Sequence, residues 1–386
     1  MQTHRSFVGI FLFSGFILLI FYFPPGFGQK PDRSGQVTAD TPRYEILIGT
    51  FLGNEKRNYY GNEAPETLDV LWRLWLGKGE TIISRKAGSR IWAGAGWTGQ
   101  PLLYRQDTIL YLLQGAYDHH LKKIDPGKQQ VIWQYLFDDV VKGTGTLWLQ
   151  KKNGTEELIV FQGSRLGTGH FLDAPHVPSF RAISLTREKE LWRLDSKWTQ
   201  SYSRDVDASP LIINDTLYIG LENSFFTVIN PDPAAARVKD GMIQPEILRE
   251  IKLYTQQDVR DHKYNVVTEA SPSRLGKMIF IASGSGHVFR YNMQTGKIDW
   301  DFYTGSDIDG SPVVTRDSCI LVSVEKQYIP GPGGVFKLNP FKPPEDAVVW
   351  FLPTDTARAG SWEGGVIGSC AVNDAYIHPE ERAIGA

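Results

Sequence analysis

Two stretches of the chain, Asp205-Val206-Asp207-Ala208-Ser209-Pro210 and Asp307-Ile308-Asp309-Gly310-Ser311-Pro312, repeat one pattern, and Thr268-Glu269-Ala270-Ser271-Pro272 stands between them. Internal repetition means that one small unit is built several times and stacked, because a single copy cannot bury its apolar face alone. Each copy leads into an apolar run, a turn, a second apolar run and often a strand bearing Trp.

The fullest unit runs from Glu269 to Phe302. Ser271-Pro272 opens an inner strand, where proline at the first residues removes no central ladder bond. Met278-Ile279-Phe280-Ile281-Ala282 is rich in β formers, and Ser283-Gly284-Ser285-Gly286 supplies a permissive hairpin. His287 to Tyr291 gives a third strand, Gln294-Thr295-Gly296-Lys297 a turn, and Ile298-Asp299-Trp300-Asp301-Phe302 an alternating fourth. Four antiparallel strands in one meander predict a propeller blade, and the whole chain as all-β.

Other units align on this template. Thr98 opens one that closes at Val131-Ile132-Trp133, Lys142 one closing at Leu191-Trp192-Arg193-Leu194, Asp207 one whose last strand near Leu248 to Tyr254 lacks Trp, and Asp309 one ending at Val348-Val349-Trp350-Phe351. Val70-Leu71-Trp72-Arg73-Leu74 reads as an outer strand without its own unit. Gaps of 61, 59, 108 and 50 separate Trp72, Trp133, Trp192, Trp300 and Trp350, and the long gap holds the degenerate unit. At least five blades are expected, of a ring of seven or eight, with the chain stopping inside a unit begun by Gly360 to Cys370.

Ser-Pro, strand, Gly-rich turn and Tyr291-Asn292-Met293-Gln294-Thr295-Gly296-Lys297-Ile298-Asp299-Trp300 resemble the pyrroloquinoline-quinone-type repeat of quinoprotein-like β-propellers, over roughly Val70 to Cys370. The resemblance implies the fold. It leaves chemistry open, because the same repeat builds quinone-dependent alcohol dehydrogenases and cofactor-free propellers.

A formal net charge of −2 gives no general attraction to nucleic acid or anionic lipid. Two cysteines, Cys319 and Cys370, are too few for a disulfide framework; they fall in neighbouring units and either pair or stay as buried small residues. His4 and Arg5 precede the apolar stretch Phe7 to Phe23, and Pro24-Pro25-Gly26 ends any helix. Residues 1–28 therefore read as a secretory signal, with an uncleaved membrane anchor over 7–23 as the alternative. Residues 29–41 read as a flexible linker and 42–386 as the truncated propeller domain, in a periplasmic or extracellular protein.

Several motif-like strings have plainer readings. Gly94-Ala95-Gly96-Trp97-Thr98-Gly99 spells a dinucleotide fingerprint but lacks the following helix. Asp118-His119-His120 aligns with hairpin tips, and adjacent strand histidines face opposite ways. His170 and His176 lie in a long loop between Gly163 and Phe180, read as a solvated excursion, and the sequons at Asn153 and Asn214 read as turns.

Superposing the units gives the better candidate. Thr98, Lys142, Asp207, Glu269 and Asp309 share one register, with Ile367 sixth, and inner strands of a propeller line its axis. Three carboxylates and one ammonium are expected to ring one mouth of the channel, with Asp205, Asp307 and Arg204 just outside. They make either a pocket for a cation or polar ligand, or caps for neighbouring inner-strand amides that hold the ring shut. No catalytic residue and no metal ligand is assigned.

Three functions remain: a ligand-binding or protein-interaction scaffold of the bacterial envelope, a quinone-dependent dehydrogenase using pyrroloquinoline quinone with calcium on alcohols or sugars, and a glycan-contacting surface protein. The resemblance implies an adjacent-cysteine disulfide for the enzymes, and Cys319 and Cys370 are not adjacent. Export predicts a mature chain beginning close to Gln29. Mass spectrometry of the envelope fraction checks it, and intact residues 1–28 on a membrane-bound product would favour the anchor.

Overall fold

The computed structural model describes residues 43–374 apart from 62–65, 85–86, 97, 167–177, 327–330, 332 and 355–362. The expected signal over 1–28 and linker over 29–41, His170, His176 and the part of the strand expected at 372–376 beyond Asp374 lie outside the described residues. Among those described, five antiparallel meanders follow one another as propeller blades. Blade 1 is Leu102–Gln106, Ile109–Gly115, His120–Asp125 and Gln130–Leu136. Blade 2 is Thr146–Lys152, Thr155–Gly163, Phe180–Ser184 and Lys189–Leu194. Blade 3 is Leu211–Ile213, Thr216–Leu221, Phe225–Asn230 and Glu246–Lys252, with a small hairpin of Arg237–Lys239 and Met242–Gln244 inserted before its last strand. Blade 4 is Ser273–Leu275, Met278–Ala282, His287–Asn292 and Lys297–Tyr303. Blade 5 is Val313–Val314, Ile320–Val324, Gly334–Leu338 and Val348–Pro353.

Blades pack face to face, which explains why their second strands are apolar runs rather than alternating ones. In Thr155–Gly163, Leu158 and Val160 enter the core shared with blade 1, while Ile159 and Phe161 enter the core shared with blade 3. Blade 4 repeats this, with Ile279 and Ile281 facing blade 3 and Phe280 and Ala282 facing blade 5. Successive side chains on a strand point to opposite faces, so burial of both faces removes the polar alternation. The repeated Trp fills these interfaces: Trp192 is fully buried and its indole N–H donates to Pro231 O at 3.2 Å, and that of Trp300 to Lys342 O at 2.9 Å.

Two front elements differ from expectation. Val70-Leu71-Trp72-Arg73-Leu74 forms no strand, and Val70 and Leu71 are exposed. β propensity without a partner edge makes no ladder. Instead Lys78–Ser84 pairs with Gly88–Ala93 as a separate hairpin, held to the tip of blade 1 by His119 and the carbonyl of Glu80 at 2.8 Å.

The segment before it runs through the middle of the blades. Tyr44–Ile48 pairs with the inner strand of blade 1, Gly49 O accepts from Leu147 N of blade 2 at 2.7 Å, Glu55 O from Arg274 N of blade 4 at 2.7 Å, and Lys56 O from Val314 N of blade 5 at 3.0 Å. Asn58 Nδ2 donates to Val314 O at 2.7 Å. Arg57, buried and at φ 60, spreads its guanidinium over the rest. Nε donates to Pro272 O at 2.9 Å, Nη2 to Ser209 O at 3.0 Å, and Nη1 to Phe51 O and Thr50 Oγ1 at 2.7 Å each. A left-handed backbone at a bulky residue costs about 1–3 kcal/mol and persists only where surroundings impose it.

Residues 363–374 continue beside blade 5, where Gly365 bridges Glu325 and Val366 N donates to Val324 O at 3.0 Å.

Arg57→Ala should leave the buried Pro272 O and Ser209 O short of a donor and loosen Phe51 O and Thr50 Oγ1, at about 1–3 kcal/mol for each buried oxygen that stays unsatisfied, and so lower the unfolding free energy in urea by at least ~3 kcal/mol. Arg57→Lys keeps the charge but not the planar fork, and should recover only part. An unchanged midpoint in Arg57→Ala would show that this guanidinium does not hold the blades together.

Candidate functional site

Inner segments converge on an axial cavity of about 320 Å³, with Phe51 of the N-terminal segment in its wall. Thr98, Asp207, Glu269, Asp309 and Ile367 all line it, so the register read from the repeats brings one residue per unit to a common place. Lys142 reaches the same group sideways: its Nζ lies 2.6 Å from Asp207 Oδ2 and 3.5 Å from Asp205 Oδ2. Thr98 Oγ1 donates to Lys142 O at 3.1 Å.

Asp207, Glu269 and Asp309 do not cap the neighbouring inner-strand amides, although Asp205 Oδ1 accepts from Leu166 N at 3.0 Å. Serines do, two residues further along each segment. Ser209 N donates to Ser271 Oγ at 2.8 Å, Ser271 N to Ser311 Oγ at 2.9 Å, and Ser311 N to Ser369 Oγ at 2.8 Å. Gln100 N donates to Thr144 Oγ1 at 2.7 Å in the same way. Four of these segments thus hand one N–H to a hydroxyl of the next, while between blades 2 and 3 Ser209 Oγ donates to Thr144 O instead. Sequence reasoning offered this duty to the carboxylates as one of two readings, although the serines of the Ser-Pro pairs were the visible signal.

Freed from that duty, the carboxylates face one another. Asp205, Asp207, Glu222, Glu269, Asp307, Asp309 and Glu325 gather here, and Asp205 and Asp307 are buried rather than set outside the mouth. Lys142 answers Asp205 and Asp207, and Arg165 Nε lies 3.1 Å from Asp205 Oδ2. Burial holds Glu222 and Glu269 well above the usual carboxylate range, with Glu269 also pressing on Glu222 and Asp309 on Glu269. Burial first, then Asp309 and Glu325, does the same to Asp307. Asp309 itself is pushed up to about 7 by burial and by Glu325. Burial raises Asp207 against the pull of Lys142. Lys142 is held well above its ordinary value, because Asp207 and Asp205 outweigh its burial.

Arg204 stands apart from the ring, stacked 3.1 Å over the Trp198 ring centroid. Cys319 and Cys370 are both free thiols. Asn153 and Asn214 sit in turns at φ 52 and 48. The stretch Gly94 to Gly99 leads toward the strand Leu102–Gln106 with no helix described there. His119 and His120 flank the turn between the second and third strands of blade 1, and His120 Nδ1 lies 2.8 Å from Asp118 O.

No protein-family model matches the chain, and no curated protein matches its sequence. Among solved structures, the crystal structure of BamB from Moraxella catarrhalis is similar over 72% of this chain and 78% of that one, at 11% identity and a TM-score of 0.44.

The raised carboxyls fix a sign for pH dependence. Folded, they bind protons that the unfolded chain has released above its ordinary value near 4. Their contribution is therefore fully present below that value and is lost as pH rises through the folded values, about 7 for Asp309. Calorimetry in chelator should show the melting temperature falling between pH 5 and pH 8, by less in Glu269→Gln. A melting temperature that rises across this interval would contradict the cluster.

Proposed function

We propose that the protein is an exported, non-catalytic β-propeller whose axial cavity binds a small, positively charged ligand. One observation carries this reading: Asp207, Glu269 and Asp309, from three successive repeats, line one cavity, and the Lys142 ammonium beside them is already engaged by Asp207. A buried set of like charges is stabilised by a cation brought among them. The cavity suits a compact amine or guanidinium compound, which would offer N–H donors to the carboxylates at charge-assisted strength. Thr98, Gln100, Ser271 and Ser311 supply hydroxyl and amide groups around the same space.

Less support goes to the dehydrogenase alternative: pyrroloquinoline quinone carries three carboxylates of its own, and only an accompanying cation such as calcium would reconcile them with Asp207, Glu269 and Asp309 across the cavity. Export rests on the N-terminal apolar stretch alone.

Calorimetric titration of metal-free protein with putrescine and with arginine should give saturable binding, with acetate and glucose as controls. Glu269→Gln should weaken it about tenfold, equivalent to ~1.4 kcal/mol. Absence of saturable heat with either cation, or equal binding by Glu269→Gln, would overturn the reading.

A further inference from the structure

The axial cavity has two levels. Asp207, Glu269 and Asp309 stand at one, and Ser209, Ser271 and Ser311 follow two residues later on the same segments, about 6.5 Å further along an extended chain. At the first level the charge to be met is negative. Asp207, 7% exposed, engages Lys142 through Oδ2, while its Oδ1 is buried without a hydrogen-bond partner.

The second level has the opposite character. Ser271 Oγ accepts from Ser209 N and Ser311 Oγ from Ser271 N, so each hydroxyl keeps its own proton to give, and neither proton has an acceptor among the described residues. Gln100 Oε1 accepts from Leu52 N at 2.9 Å, which fixes the amide and leaves its Nε2 protons uncommitted among the described residues. Behind these donors lies Arg57. Its guanidinium donates to the carbonyls of Phe51 and Ser209, which line the cavity, and of Pro272, next to Ser271. Its described acceptors are all neutral oxygens. Burial pulls it down to about 9, so at neutral pH it is a buried positive charge with no described carboxylate paired to it.

Carboxylates at one level, and donors backed by a guanidinium at the other, make the cavity polar along its axis. A diamine meets attraction at one end and repulsion at the other. A molecule carrying an ammonium and a carboxylate satisfies both ends through charge-assisted hydrogen bonds. Three methylenes hold two such groups about 5 Å apart when extended, and inclined hydrogen bonds at the two ends cover the remaining height. An α-amino acid, with one carbon between the groups, falls short of one level.

We infer that the cavity takes a zwitterion of the ω-amino acid class, with its ammonium among Asp207, Glu269 and Asp309 and its carboxylate toward Ser271, Ser311 and Gln100 at the Arg57 end. The inference rests on the cationic pocket proposed above and adds the second, anionic group of its ligand.

Calorimetric titration of the full-length protein tests it with γ-aminobutyrate, n-butylamine and glycine. γ-Aminobutyrate should bind more tightly than n-butylamine, which lacks the carboxylate, by at least about tenfold, the worth of one charge-assisted hydrogen bond. Glycine should be weaker than γ-aminobutyrate by a similar factor. Gln100→Glu keeps an oxygen for Leu52 N but removes the amide donor and sets a negative charge at the carboxylate end, so the preference for γ-aminobutyrate over n-butylamine should vanish or reverse. A ratio of affinities reads selectivity whatever the substitution does to stability. Equal binding of these two ligands by the parent chain, or a ratio unchanged in Gln100→Glu, would overturn the zwitterion and leave the cationic pocket standing. Glycine binding as tightly as γ-aminobutyrate would overturn the ω-amino class. No binding of n-butylamine or putrescine would remove the pocket itself, and the inference with it.

Discussion

Every blade turns an inner strand toward the axis, and the inner edge of such a strand is a row of unpaired N–H and C=O groups. Buried backbone groups must find partners, so the centre of this molecule is an accounting problem before it is a pocket. Two devices answer it. The serines and Thr144 take amides from their neighbours around the circle, and the segment from Tyr44 to Asn58 takes or supplies the rest from within. Arg57 suits this position because its donors diverge in a fixed plane, matching carbonyls that arrive from different blades.

Once hydroxyls and one guanidinium satisfy these inner edges, Asp207, Glu269 and Asp309 are left with no backbone amide to hold. Their positions follow from alternation: an acid two residues before the serine shares its face of an extended segment, so both look toward the axis. Crowding then follows from symmetry. A repeat places equivalent side chains close together, and what is harmless once becomes repulsive when copied. The chain relieves this at blade 3 by departing from the repeat with Lys142 and Arg165.

The blades were legible because burial on both faces writes itself into the sequence as apolar runs, and hairpins as Gly and Asn. Met278–Ala282 was read to the residue. The register of Thr98, Asp207, Glu269 and Asp309 was also legible, because repetition supplies an internal alignment. Apart from the serine caps, what sequence reasoning missed occurs only once. Residues 44–58 have no second copy to compare, and most partners of Arg57 are main-chain carbonyls, which are the same at every residue and leave no mark. Trp72 misled for the opposite reason: its neighbours match Leu191 to Leu194, but a matching string has no edge to pair with there.

The central segment also sets an order of events. Arg57 and Asn58 leave the ribosome early, yet Ser209, Pro272 and Val314 lie 152, 215 and 256 residues further on. At about 5–20 residues per second, the last of these partners appears roughly 13–50 s later. Blades can form from local hairpins in the meantime, but the axis cannot be filled until the final described blade exists. What is made first is finished last, and during that interval the inner edges remain open to any other strand that reaches them.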